Sequence, residues 1–274
     1  ITVIMSVFNG GKWLHKSISS ILNQTYKDFE FIIINDGSTD ESLEIIQSYA
    51  NSDSRIIIHN KSNTGLADSL NKGIEISRGK WIARIDSDDI SLPRRLELQY
   101  KYVCANPDTV FLGSGMIRIN EKDEHIKKYT YPKTHKYLLK RLMYVTGFPP
   151  HSSAFYSQKD VKDIGGYRVN IKRGQDWDLW LRLSLKGNLA SLPDCIVGIR
   201  SHNDQISHDN GGKDQIIFSR IAITDYWIQL INIKDSPLKT KEDFVNFKLF
   251  IIKHLNKNNV FAFQTGHKQH TCVE

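Results

Sequence analysis

The sequence predicts an α/β protein: a Rossmann-like, mostly parallel central sheet flanked by helices, with a helical appendage at its C-terminal end. Three observations predict it. Across residues 1–115, short apolar runs alternate with segments whose apolar residues recur at helical spacing. Clusters of Asn, Asp, Gly and Ser follow several of those runs, where strands would end. The last 60 residues change character and read as two amphipathic helices.

Each element has its own justification. "ITVIMSVF" is an apolar strand, and "KWLHKSISSILNQ" places Leu14, Ile18, Ile21 and Leu22 on one helical face. "FEFIII" (29–34) is a second buried strand. The helix "DESLEIIQSYA" follows, with Ser38 and Glu41 spaced as a capping box. "RIIIH" (55–59) is a third strand, and "GLADSLNKGIEIS" a helix with Leu66, Leu70, Gly73 and Ser77 on one face. "KWIARI" (80–85) is a fourth strand. Pro93 then opens a helix whose apolar face carries Leu96, Tyr100 and Val103.

Beyond residue 106 the alternation weakens. Residues 119–136 are polar and read as loop; "HSSAFY" (151–156) reads as a strand. "GQDWDLWLRLSLKG" reads as a loop entering a helix that ends near Gly187. "LASLPDCIVGIRSH" reads as strand, turn and strand, before helices over 214–231 and 241–256. Boundaries are expected near 115 and 212, giving segments 1–115, 116–212 and 213–274.

Composition bounds the function without choosing it. Over 274 residues the net charge is +7, with 40% apolar and 24% charged residues, as in ordinary globular proteins. A basic balance suits a polyanionic partner or an anionic surface, or is simply a solvated basic face. No block of five Lys or Arg occurs, so nucleic acid is not expected as a partner. Apolar runs are far shorter than a membrane span. No signal-peptide pattern is visible, and an initiator segment is expected ahead of Ile1. Cys104, Cys195 and Cys272 are scattered without a CxxC, which reads as free thiols in a reducing compartment.

The chemistry-bearing residues cluster at expected strand ends, where ligands of open α/β sheets sit. Asp86 and Asp88 flank Ser87; at i and i+2 of extended chain both carboxylates point the same way, which suits Mg²⁺ or Mn²⁺. Capping of the following helix is the alternative, and is assigned to Asp89. Asp36 ends the second strand, with Gly37 permitting a tight turn. Its carboxylate would accept from a nucleobase N–H or a ribose hydroxyl, or would close an Asx-turn.

Taken in order, "ITVIMSVFNGGKWLHKSISSILNQTYKDFEFIIINDGSTDES", "NTGLADSLNKGI", "GKWIARIDSDDISLPRRLELQ" and "QDWDLWLRL" resemble glycosyltransferase family 2 over about residues 1–205. The resemblance implies a GT-A fold with a nucleotide-sugar-binding half (1–115), an acceptor-binding half (116–212) and a helical extension (213–274). It also implies inversion at the anomeric carbon and a Mn²⁺ or Mg²⁺ requirement. By that resemblance Asp36 contacts the uracil of a UDP-sugar, Phe8 and Asn9 border the base, and Asp86 and Asp88 form the family's D-x-D. Asp88 is then the more direct metal ligand and Asp86 lies nearer the ribose. Asp176 matches the catalytic base, although Gln175 stands where many members have Glu. His202 resembles a histidine near the metal in related enzymes.

Asp178 competes for the base but reads as a first-turn helix acid. Trp177, Trp180 and Leu181 have core spacing; Trp177 and His151 are also candidates for acceptor contact. A processive QxxRW signature is absent, so single-sugar transfer is favoured. The expected acceptor is a glycan on a polyprenyl diphosphate, handled in the cytoplasm or at the inner face of the plasma membrane. Lys248 and Lys253, alternating with Phe247, Phe250 and Ile251, either rest on an anionic bilayer or pack on the main domain. A sugar-1-phosphate nucleotidyltransferase and a degenerate binding module are the competing readings. "FNGGKW" matches the first poorly, and the complete set of acids argues against the second.

Overall fold

Alternating apolar runs and amphipathic segments bury themselves when helices cover both faces of a sheet. The computed structural model, which describes residues 1–202 and 213–230 and the isolated positions 242, 245, 246 and 249, has that architecture. The strands are β1 (Thr2–Val7), β2 (Glu30–Asp36), β3 (Ile56–Lys61), β4 (Trp81–Asp86), β5 (Ile90–Ser91), β6 (Thr109–Ile119), β7 (His125–Tyr129), β8 (Phe155–Ser157) and β9 (Asn188–Arg200). The sheet order is β3-β2-β1-β4-β8-β6-β9-β5, with β7 beside β6. β3, β2, β1 and β4 are parallel neighbours, as are β6 and β9; β8 is antiparallel to both β4 and β6 and joins the two halves.

The helices are α1 (Gly11–Leu22), α2 (Ser42–Ser52), α3 (Leu66–Ile76), α4 (Arg95–Ala105), α5 (His135–Met143), α6 (Gln158–Asp163), α7 (Gln175–Leu183) and α8 (Lys213–Leu230). Side-chain alternation along β1 shows the layering. Val3, Met5 and Val7 pack with α1, α2 and α4 on one face, whereas Ile4 packs on the other with α3, α5, α7 and α8. Gly73 lets α3 lie close on β1, since a Cβ there would stand 2.7 Å from Ile4 Cγ2. None of the described helices is long and apolar enough to cross a membrane.

The first four strands and α1 to α4 match the sequence expectation in place, but Tyr100, expected on the apolar face of α4, is 37% exposed and Gln99 is buried there instead. Five further local expectations are not met. Ser38 and Glu41 form no capping box: α2 begins at Ser42, and the Ser38 hydroxyl instead accepts from Asn9 N–H. Asp89 caps no helix; α4 begins at Arg95, and the buried Asp89 carboxylate turns to Arg200 and Ser152. Residues 119–136 hold the strand β7 and the start of α5, because β6 offers an edge that a polar segment can pair with. His151–Ser153 is a 3₁₀ turn, and the strand follows it. β9 is one strand with register shifts around Leu192 to Val197, where Pro193 and Asp194 would otherwise mark a turn. The expected boundary at 115 falls inside β6. The helix expected over 241–256, with Phe247, Lys248, Phe250, Ile251 and Lys253, lies outside the described residues apart from isolated positions, as does Cys272.

Candidate functional site

Four polar clusters project beyond the carboxyl ends of β1, β2, β4 and β9. β4 is buried up to Ile85 and releases Asp86, Asp88 and Asp89 in a tight turn before β5. Carboxylate oxygens of these three lie within 4.8 Å of one another. Asp86 is paired through both oxygens with the guanidinium of Arg84, a side chain 2% exposed. Ser152 accepts from Asp86 N–H at 3.0 Å and donates toward Asp86 and Asp89. Asp88 holds His202 Nε2 at 2.9 Å. Asp89 accepts from Arg200 N–H at 2.9 Å.

Burial, and then the charge of Asp86, pushes the Asp88 carboxyl above its ordinary range, with His202 pulling the other way. Burial followed by the charges of Asp88 and Asp86 drives Asp89 well above it. His202 Nδ1 is buried without a hydrogen-bond partner among the described residues. Several hard oxygens within 4.8 Å of one another, one of them met by an imidazole nitrogen, fit a divalent cation. Asp88 and His202 would hold it, with Asp86 restrained by Arg84.

One flank of the hollow is closed by charge and aromatic contact. The Arg200 guanidinium sits 4.3 Å from the centre of the Trp13 ring, and Lys12 stacks on that ring at 4.4 Å. Trp13 also approaches His202, with centroids 6.2 Å apart. Arg200 donates to Asp88 O at 2.8 Å and pairs with Asp123 at 2.6 Å. Lys12–Glu121 and Lys16–Asp123 bind the same β6–β7 turn to α1.

At the end of β2, Asp36 is 2% exposed. It accepts from Thr64 N–H at 3.0 Å and Gly65 N–H at 2.9 Å, and is paired with Lys61. Burial opposes ionisation, but Lys61 and the two N–H groups outweigh it and hold Asp36 below the usual carboxylate range. The carboxylate thus pins the β3–α3 loop, and Gly37 makes the turn before it at φ +72°. A cavity of about 170 Å³ lined by His59, Lys61, Asp68 and Asn71 opens beyond, lined by none of the clustered acids. Asn9 adopts φ 51° and accepts from Thr39 N–H at 2.8 Å, leaving Phe8 53% exposed at the mouth of β1.

Asp176 lies in the first turn of α7, after Gly174 in the left-handed region. Its carboxylate accepts from Trp177 N–H at 2.9 Å. Burial raises its pKa above the ordinary value; Trp177 N–H and the Arg84 charge oppose that, and the Asp86 charge adds to it. Asp176 therefore lies within electrostatic reach of the acid cluster, 90 residues away in sequence from Asp86.

Asp178 is a different kind of acid. It is 1% exposed and bound to Arg168 at 3.0 Å and Arg182 at 2.6 Å, while Arg168 reaches on to Asp225 of α8 at 2.7 Å. This network fastens α7 to α8. Asp178→Ala leaves the buried Arg182 guanidinium without its carboxylate and Arg168 with Asp225 alone, and is expected to cost about 3–5 kcal/mol of folding stability. Denaturant unfolding checks this; native-like stability combined with lost activity would make Asp178 the better base.

The two acceptor candidates separate. Trp177 is a core residue: it is 9% exposed and its indole N–H donates to Leu142 O at 3.0 Å, so it offers no open face to a sugar. The reason is its spacing with Trp180 and Leu181, which turns it inward. His151 lies under the cleft, its Nε2 2.7 Å from Tyr167 Oη. Burial and the Arg84 charge hold its pKa well below the ordinary value, so it is neutral. Sequence reading overlooked Arg84, Ser152, Arg200 and Trp13. Arg84 and Arg200 were findable as charges inside apolar strand runs, which fold only when paired; Ser152 and Trp13 carried no such mark.

Residues 2–165 match the sequence profile of Glycosyl transferase family 2. An uncharacterized glycosyltransferase of Methanocaldococcus jannaschii is 40% identical over 190 residues, covering 66% of this chain and 63% of that protein. The O-antigen biosynthesis glycosyltransferase WbnJ of Escherichia coli is 38% identical over 207 residues, covering 74% of this chain and 80% of that protein. Among solved structures, S. aureus TarS in complex with UDP superposes with a TM-score of 0.68 at 18% identity, over 98% of this chain and 75% of that one. The mannosyltransferase PcManGT of Pyrobaculum calidifontis, in complex with GDP-Man and Mn²⁺, superposes at 0.58 and 16% identity, over 89% of this chain and 66% of that one. At these identities the two structures establish the shared fold, which is GT-A.

Proposed function

Because this chain belongs to glycosyltransferase family 2, we propose that it moves a hexose (glucose, galactose or an N-acetylated hexosamine) from a UDP-sugar to a glycan hydroxyl. The reaction inverts the anomeric centre and gives a β-linkage. The observation that carries this reading is the cluster of Asp86, Asp88 and Asp89 at the end of β4, whose Asp86 charge is felt at the Asp176 carboxyl of α7. The acceptor is a cell-surface polysaccharide intermediate, by likeness to WbnJ, carried on a polyprenyl diphosphate at the cytoplasmic membrane face. TarS with bound UDP favours a uridine donor, and PcManGT with GDP-Man supplies the alternative.

The chain's own residues divide the work. Asp36 and the loop it pins receive the base, beside Phe8 and Asn9. Arg84 holds Asp86 at the ribose end. Asp88 and His202 would hold a divalent cation, which would supply positive charge to the leaving diphosphate. Asp176 takes the proton from the acceptor hydroxyl as that oxygen attacks from the far side. Trp13 and Arg200 wall the hollow against water, which strengthens the charge interactions inside it.

The proposal is tested by incubating the protein with a panel of nucleotide sugars in Mn²⁺ and measuring free nucleoside diphosphate. Slow UDP release from one donor, abolished by EDTA, is expected. Pyrophosphate release from UTP and a sugar phosphate would instead identify a nucleotidyltransferase; inertness toward every donor and acceptor would identify a binding module.

A further inference from the structure

Residues 125–146 carry Lys127, Lys128, Lys133, Lys136, Lys140 and Arg141 and not one Asp or Glu. This short stretch, β7 and α5 with their link, thus accounts for six of the net +7. The five lysines are exposed, and none of the six cations pairs with a carboxylate among the described residues. Apolar side chains stand among them: Ile126 and Tyr137 are each 56% exposed and Tyr144 66%. Lys140 lies 6.0 Å from the Tyr144 ring, and a cavity of about 420 Å³ opens between Pro132, Tyr137, Arg141 and Tyr144.

We propose that the exposed face of α5, with the link that precedes it, docks on an anionic phospholipid bilayer. A solvated basic face has no use for exposed tyrosines and isoleucine beside its cations. Lysine is depleted from protein–protein interfaces, which argues against a protein partner. Lysine with tyrosine is what an anionic lipid interface selects, the ammonium groups meeting headgroups and the rings settling at headgroup depth. The fold gives the docking a consequence. The inner side of α5 buries Leu138 and Leu142, and Leu142 O receives the indole N–H of Trp177, which follows Asp176. The bilayer would therefore lie about one helix diameter, ~10 Å, from the helix carrying the base. A lipid-linked acceptor would emerge beside the residue meant to deprotonate it. That last step rests on the transferase reading; the docking does not.

The full chain is sedimented with vesicles of phosphatidylcholine containing phosphatidylglycerol, and with phosphatidylcholine alone. Binding to the first only, weakened by added salt, is expected. Lys133→Glu, Lys136→Glu and Lys140→Glu combined should lower partitioning by about 100-fold. Tyr137→Ser with Tyr144→Ser, which leaves every charge in place, should lower it further than salt alone explains. UDP release to a water-soluble acceptor should be unchanged in both variants. Native-like vesicle binding by both variants overturns the proposal, as does retention on heparin with no vesicle binding by the native chain. If no donor is ever cleaved but vesicle binding still depends on these lysines, the docking stands and the transferase reading alone falls.

Discussion

Asp176→Asn lowers sugar transfer by about 10²–10⁴-fold, the range that a positioned general base contributes, and leaves metal-dependent UDP binding intact. The asparagine keeps the shape and the contact from Trp177 N–H, and removes only the capacity to take a proton. The pH dependence follows from the same environment. Burial raises the Asp176 pKa, so the acid limb of kcat/KM should lie above the ordinary carboxylate range, activity falling as pH falls through it. That limb should vanish in the variant. Turnover near native in Asp176→Asn would remove Asp176 from the mechanism. Asp178→Asn should not reproduce the effect, since Asp178 is engaged with Arg168 and Arg182.

Asp88→Ala should abolish the Mn²⁺ dependence of UDP binding in calorimetric titration, with most of the donor affinity going with it. Three acids share one small volume, and burial with the neighbouring charges raises the pKa of Asp88 and Asp89. Their folded-state pKa values lie above the unfolded ones, so these groups favour the fold at low pH. That contribution is lost as pH rises through the folded values. Without metal, the contribution of these two acids should therefore fall as pH increases above the ordinary carboxylate pKa, against the opposite trend of acids such as Asp36 and Asp123, whose pKa values are lowered. Mn²⁺ with UDP should restore it, because a ligand bound only by the folded state stabilises in proportion to its saturation. A thermal midpoint indifferent to Mn²⁺ at every pH, in a protein that still binds UDP, would count against the cation site.

The parallel half of the sheet was legible because its signal is local. The runs at 1–8, 29–34, 55–59 and 80–85 are each apolar over a strand's length, and the helices between them show plain periodicity. Asp86 and Asp88 were legible through their spacing at a strand end. Asp176 entered only through the resemblance to a family. The second half hid itself for physical reasons. β7 is a polar edge strand stabilised by its partner β6, not by its own pattern. β5 is two residues long and exists because β9 passes beside it. Asp89 read as a cap because its real partners, Ser152 and Arg200, lie 63 and 111 residues away in the chain. Trp13 gave no sign of its place beside Arg200 and His202, since cation–π geometry leaves no periodic trace.

The account rests on one arrangement: a cation held by the end of β4, faced across the width of a sugar by the first turn of α7. Anomalous diffraction from crystals grown with Mn²⁺ and UDP tests it directly. A single manganese peak touching Asp88 and the diphosphate, with the Asp176 carboxylate opening onto the same hollow, is the predicted result. Manganese bound elsewhere, or an Asp176 side chain turned away from the diphosphate, would contradict it.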